Sequence, residues 1–329
     1  MTSEKNARKS GMHESIVLVG GGGGVFRIAR HLKNIRDNIT TIQTMFDHGG
    51  HSGELRDEHG VLPPGDVRQA VLALSDDKIA HELRALLAYR FKRSNGASLD
   101  GATVGNIMLT ALAEITGSMP AAIDVLCTWF RVKGKVLPVS LTDAELCVRL
   151  SDGTVLKGEG KIDMRPIGDA RSVSDAYLEP VANIYTGAYE ALVSADKIVF
   201  CPGDLYTSIL PNTLVAGFKE AIAETNARLI LVVNIMTKKA ETHDYSASMF
   251  AEKILGKIGR DKFDVVIAND GAIRPEILRR YELEMAFPVK FDAKKLETLA
   301  DTVIPVDVAD QSGDIIRHHE KTASLIANI

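Results

Sequence analysis

Ile16-Val17-Leu18-Val19-Gly20-Gly21-Gly22-Gly23-Gly24-Val25 is the stretch on which the fold is read. Four apolar residues make a short strand, the glycine run stops it, and apolar residues from 25 to 33 then recur at helical spacing. Strand, glycine loop and helix in that order open an α/β unit. The loop also has a chemical use, because backbone N–H groups free of side chains can approach an oxyanion closely. Gly20, Gly21, Gly22, Gly23 and Gly24 are therefore candidate ligand contacts. The run lacks the Gly-Lys-Ser/Thr ending of a P-loop, which excludes that motif.

Outward from this unit, residues 39–46 form a β-branched run that ends at Asp47, and His48-Gly49-Gly50-His51-Ser52-Gly53 must be loop. Pro63-Pro64-Gly65 marks a turn, with Asp66 as the expected N-cap of a helix through Leu74. Helical patterns follow at 77–91, 104–116 and 121–130. Apolar runs at 135–140, 146–150 and 154–156, the last two joined by Asp152-Gly153, predict a small β insertion around 134–165. Strand patterns return at 197–200, 229–233 and 265–268, each followed by a loop and a helical segment. This alternation predicts a Rossmann-like α/β fold, a mostly parallel sheet with helices on both faces. A flexible tail over 1–14 and a single domain over 15–329 are expected.

Composition narrows the partner. The chain has 329 residues, with 39 Lys and Arg against 43 Asp and Glu for a net charge of −4, and no basic block. Broad electrostatic capture of nucleic acid or an anionic membrane is excluded on that balance. No apolar run approaches the roughly 20 residues that a membrane helix needs. Cys127, Cys147 and Cys201 show neither paired spacing nor a zinc pattern, so a reducing, cytoplasmic setting and a small-molecule ligand are expected.

In open parallel sheets, ligands bind beyond the carboxyl ends of the strands, where helix N-termini present free N–H groups. The polar loops fall there. Asp47, Gly49, Gly50 and Ser52 follow the second strand; Gly203, Asp204, Tyr206, Thr207, Ser208 and Asn212 follow the strand at 197–200. Hydroxyl and N–H groups in these loops suit an anion, while the amides of Asn106 and Asn234 can read a base or sugar; each also has a local capping role open to it. Asp47 and Asp66, beside glycine loops, are the pair that could hold Mg²⁺ against phosphate oxygens. His48, His51 and His59 lack zinc spacing.

Taken together, the motifs resemble the gluconeogenesis factor family, a branch of the superfamily that includes the CofD 2-phospholactate transferases. Gly20–Gly24 with Arg30-His31-Leu32-Lys33 is similar to the family's GGGTG and RGLK, and residues 47–56 to its DDGGSSGRLR. Pro63-Pro64-Gly65-Asp66-Val67-Arg68 resembles PPGDIR, residues 105–117 GNLLLAALTEITG, 201–215 GPGSLYTSIxPNLLV and 234–242 NxMTQPGET, which adds Thr237 to the candidates. Residues 280–289 and 313–318 resemble RYxxEGAxPV and GDxIRH. The resemblance implies a cytoplasmic nucleotide-sugar-binding protein, typically for UDP-N-acetylglucosamine, that supports cell-wall and cell-shape homeostasis during gluconeogenic growth. It also implies that Tyr281 and Arg317 contact the nucleotide sugar. Departures fall in the same motifs: Gly23 stands for threonine, His48 for aspartate, His51 for serine, Ala102-Thr103 for His-Ser, Asp204 for serine and Lys238-Lys239-Ala240 for Gln-Pro-Gly. A carboxylate at 204 would oppose phosphate unless Lys238, Lys239 or a metal offsets it.

The alternative is a CofD-like transferase moving a phospholactyl or phosphoenolpyruvyl group from a guanosine diphosphate donor to a deazaflavin, with Mg²⁺ at Asp47 and Asp66. An NAD-dependent oxidoreductase rests only on the glycine loop and Asp47. The sequence leaves a homo-oligomer open.

Overall fold

The computed structural model describes residues 13–46, 62–79, 81–92, 99, 101–166, 169 and 171–329. β1 (Ile16–Gly20) is buried at every position because it has a strand on each side and helices on each face. Its neighbours are β2 (Ile39–Gln43) and β7 (Lys197–Phe200), both parallel to it. Beyond β2 lies β3 (Lys135–Pro138), and beyond β7 lie β8 (Arg228–Val232), β9 (Phe263–Ala268) and β10 (Ala300–Pro305). The order β10-β9-β8-β7-β1-β2-β3 is parallel throughout.

Alternation along β1 feeds two cores. Ile16 and Leu18 pack with α1 (Gly22–Leu32), α2 (Gly65–Leu74), α3 (His81–Ala88), α4 (Val104–Thr116) and α5 (Met119–Trp129), and with two later helices, α12 (Pro275–Leu283) and α14 (Lys321–Asn328). Val17 and Val19 pack on the other face against α7 (Thr186–Val193), α8 (Leu210–Thr213), α9 (Phe218–Glu224), α11 (Ala247–Ile258) and α13 (Ala293–Leu296). Period-two side-chain alternation in a strand covered on both sides produces this division.

A separate antiparallel sheet, β5-β4-β6, joins the second core: β4 (Glu145–Leu150), β5 (Val155–Lys157) and β6 (Val173–Glu179), with α6 (Glu159–Asp163) after β5. The insertion expected at 134–165 is thus present with different boundaries. The run at 135–138 belongs to the main sheet, where it pairs with β2 as an edge strand; an edge accommodates Pro138, whose missing N–H would break a central ladder. β6 closes the insertion later than expected, since its alternation over Val173–Glu179 is half polar and gives little apolar signal.

Two further expectations shift locally. Asp66 sits in the first turn of α2, and Pro64 holds the N-cap position. The segment after β7 enters a π-turn at Leu205–Ile209 directly, followed by α8 and, past a break, α9, so the helical segment expected after this strand is divided into pieces. The chain reverses its direction of winding between β1 and β7. The crevice above their carboxyl ends is therefore the switch point of a doubly wound sheet.

Candidate functional site

A cavity of about 470 Å³ opens at that switch point. Its floor is Gly23 and Gly24 of α1 together with Pro202 and Gly203 after β7; its walls are Asn234 to Met236 after β8, Tyr281 of α12, and Ile315 to His318 around β12 (Arg317–His318). Of the residues named from sequence, Gly23, Gly24, Gly203, Asn234, Tyr281 and Arg317 meet here.

Close approach explains two of the glycines. A Cβ on Gly24 would collide with the Pro202 carbonyl, so the first turn of α1 can lie directly on the β7 loop only without one. A Cβ on Gly21 would run into the Asp66 carboxylate and Thr44. Gly20, Gly21 and Gly22 lead into the cavity lining at Gly23, with the Asp66 carboxylate against Gly21 and Gly22. Gly23, where the resembling family has threonine, has nothing within 4 Å of its Cβ position. No side chain of the N-cap residue caps α1, and its first turn carries no acid. Gly23 and Gly24, at the start of α1, line the cavity, so the positive end of the helix dipole lies at its edge.

Basic charge gathers at the same end. Arg27, which sequence reasoning missed, lines the cavity one turn after Gly23. Burial, and then its neighbour Arg317, lowers its pKa, while Asp310 works the other way. Two guanidiniums that repel each other and point at one hollow favour an anion between them. The i, i+4 spacing from Gly23 was the available signal.

Tyr281 and Arg317 are linked through the backbone. The Tyr281 hydroxyl accepts the Ile316 N–H at 2.9 Å, so the tyrosine ring forms a wall and also fixes the short strand that carries Arg317. His318 beside it is buried, facing the Val233 backbone, and neither ring nitrogen makes a hydrogen bond of normal geometry among the described residues. Burial lowers its pKa to about 4, so it is neutral at ordinary pH.

Asn234 acts as a clamp. Its amide oxygen accepts the Gly203 N–H at 3.0 Å and its amide nitrogen donates to the Gly203 carbonyl at 2.7 Å, tying the loops after β7 and β8 together. Thr237 accepts the Phe287 N–H at 2.9 Å, fastening the same segment to the chain beyond α12. Asn212 braces the first glycine, donating to the Gly20 carbonyl at 3.3 Å and to the Ser208 carbonyl at 2.9 Å.

Other named residues sit away from the cavity lining. Asn106 accepts Arg68 Nε at 3.0 Å inside the first core. Tyr206 hydrogen-bonds the Tyr245 hydroxyl at 3.0 Å, and Thr207 donates to Glu241 at 2.8 Å. Asp47, Gly49, Gly50 and Ser52 lie outside the described residues, as do His48 and His51.

Asp204 turns to the opposite side of the loop. Lys238 Nζ donates to Asp204 at 2.6 Å and to Asp163 of α6 at 2.7 Å, and stands 3.4 Å from Glu241. The three carboxylates come within 4.8 Å of one another, and the ammonium occupies the place that a metal ion would take among them. Burial opposes the charge on Lys238, but Glu241, Asp204 and Asp163 outweigh it and raise the pKa. Burial and Asp204 push Glu241 upward, against the pull of Lys238. The unusual acid at 204 is thus neutralised by the unusual base at 238.

Fold and cavity together define an α/β protein of the doubly wound class with a cavity at its switch point. The family model described as "2-phospho-L-lactate transferase CofD" matches residues 16–309, and the chain belongs to that family. It is similar to the gluconeogenesis factor of Bacillus subtilis, 34% identical over 321 residues, covering 97% of this chain and 99% of that one. The gluconeogenesis factor of Halalkalibacterium halodurans is 35% identical over 312 residues, with 94% of each chain covered. A crystal structure of a UPF0052 family member from Bacillus halodurans superposes with a TM-score of 0.89 at 33% identity, covering 95% of this chain and 99% of the other.

Proposed function

We propose that the protein is a cytoplasmic nucleotide-sugar-binding regulatory protein of the gluconeogenesis factor type, with UDP-N-acetylglucosamine as the representative ligand and cell-wall and cell-shape homeostasis as its role. One observation carries the reading: a cavity of about 470 Å³ combines the glycine-lined N-terminal end of α1, the Arg27 and Arg317 guanidiniums and the Tyr281 ring. A volume in the range of small-molecule sites, an anion-attracting end and an aromatic wall suit a diphosphate joined to a base and a sugar. The names of the similar proteins support the gluconeogenesis factor part of this reading. Calorimetry with UDP-N-acetylglucosamine is expected to give saturable binding that falls at least tenfold in Tyr281→Ala and in Arg317→Ala. Unchanged affinity in both would overturn it.

The match to the transferase family model favours one second reading, a CofD-like transfer of a phospholactyl or phosphoenolpyruvyl group from a guanosine diphosphate donor to a deazaflavin. Asp66 fits as a hard oxygen ligand for Mg²⁺, since its carboxylate lies against the glycine loop where diphosphate oxygens would rest. Asp47 is its proposed partner, and the ion would supply neutralisation of the leaving diphosphate. Arg27 and Arg317 would hold the same charge from the other side. Mg²⁺-dependent turnover with a deazaflavin acceptor, abolished in Asp66→Asn, is the expected result on this reading; no turnover removes it.

A further inference from the structure

A second cavity, of about 370 Å³, lies between the loop that carries Arg165, Asp169 and Arg171 and the segment that carries Lys239, Glu241 and His243. Its acids are occupied. Asp169 accepts Arg171 Nε and Nη2 at 2.8 Å each. Glu241 accepts the Tyr206 N–H at 2.7 Å and the Thr207 hydroxyl at 2.8 Å. Asp244 stands 3.4 Å from His243 Nε2.

Two of its cations keep open donors among the described residues. Lys239 Nζ, and Arg165 Nε and Nη1, are buried without a hydrogen-bond partner among the described residues. The Arg165 side chain is only 8% exposed, and the acid it faces, Asp169 at 3.9 Å, already receives the fork of Arg171. Holding a guanidinium and an ammonium out of water with open donors is costly, and native proteins rarely leave such groups unmatched. The missing counterpart is an acceptor with several oxygens and negative charge. The Lys238 cluster next door cannot supply it, because its three carboxylates converge on Lys238 itself.

We infer that this second cavity is a separate binding site for a small metabolite bearing a phosphate or carboxylate group, with Arg165 and Lys239 as its anchors. Phosphate and carboxylate both match a guanidinium fork beside a point charge, and the cavity has room for a body of several heavy atoms beyond the anionic head. This cavity shares no lining residue with the one at the switch point.

The test uses the full chain, with sodium phosphate and sodium citrate as probes and sodium chloride at matched ionic strength as the reference. Thermal denaturation is expected to show a saturable rise in Tm with at least one of the two anions, since a binder of the folded state stabilises it. The responding anion names the head group. Arg165→Gln and Lys239→Gln are each expected to weaken that response at least tenfold in midpoint concentration, while Tyr281→Ala, in the other cavity, keeps it. Without anion, both glutamine variants are expected to melt at or above the wild-type temperature, because each removes buried donors that lack a hydrogen-bond partner among the described residues. No saturable response, a response undiminished in both variants, or variants that melt well below wild type without anion would each overturn the assignment.

Discussion

Gly23 and Gly24 are adjacent in the chain and opposite in consequence. Gly24→Ala sets a methyl group against the Pro202 carbonyl, whereas Gly23→Ala puts one into open space. Thermal unfolding is expected to show a loss of about 1–3 kcal/mol for the first, with ligand binding impaired, and a near-neutral effect for the second. Equal losses would mean that α1 and the β7 loop are less closely apposed than described. His318 gives a second prediction at this scale. Its pKa of about 4 in the folded state lies below the usual 6.5, so the unfolded chain takes up the proton first as pH falls. Stability is then full above about pH 6.5 and is lost progressively toward pH 4, on the order of 3 kcal/mol from this side chain. His318→Asn is expected to flatten that part of the pH profile when denaturant midpoints are measured across it.

Among elements, the segment from Asn234 to Thr242 organises the site, and its chemistry was only half legible beforehand. Asn234 stood out at a strand end, but its pairing with both backbone groups of Gly203 depends on how β7 and β8 lie side by side. Tyr206 and Thr207 looked like ligand groups because they follow a strand; the π-turn rotates them into the core, and no local signal for that irregularity exists in Leu205–Ile209. The paired departures at 204 and 238 were visible as separate oddities, and only three-dimensional proximity makes them one feature. Lys238→Gln is expected to cost on the order of 2 kcal/mol by leaving Asp163, Asp204 and Glu241 mutually exposed. Adding Asp204→Ser should restore much of that, a coupling measurable by a double-mutant cycle in urea. Strict additivity would count against the salt cluster. Tyr281→Phe should cost about 1–3 kcal/mol by depriving the Ile316 N–H of its acceptor, and weaken ligand binding less than Tyr281→Ala does.

For the whole molecule, the strand-loop-helix unit at the start and the strand-helix alternation that follows it made the class of fold legible, because repeated β-α units lead to a parallel sheet covered on both faces. What periodicity could not supply was neighbour order. Nothing local says that β3 pairs with β2 or that β7 pairs with β1, since both facts follow from packing two faces at once. Val17 lies beside Ile198, so the central ladder joins residues far apart in the chain. During synthesis, one edge of β1 therefore stays bare until Lys197–Phe200 leaves the ribosome, and an open apolar strand edge invites pairing with other chains. The floor of the cavity, where Gly24 meets Pro202, is assembled at that same late moment. A nascent chain cut short before β7 is therefore expected to be prone to aggregation and to lack the floor of this cavity.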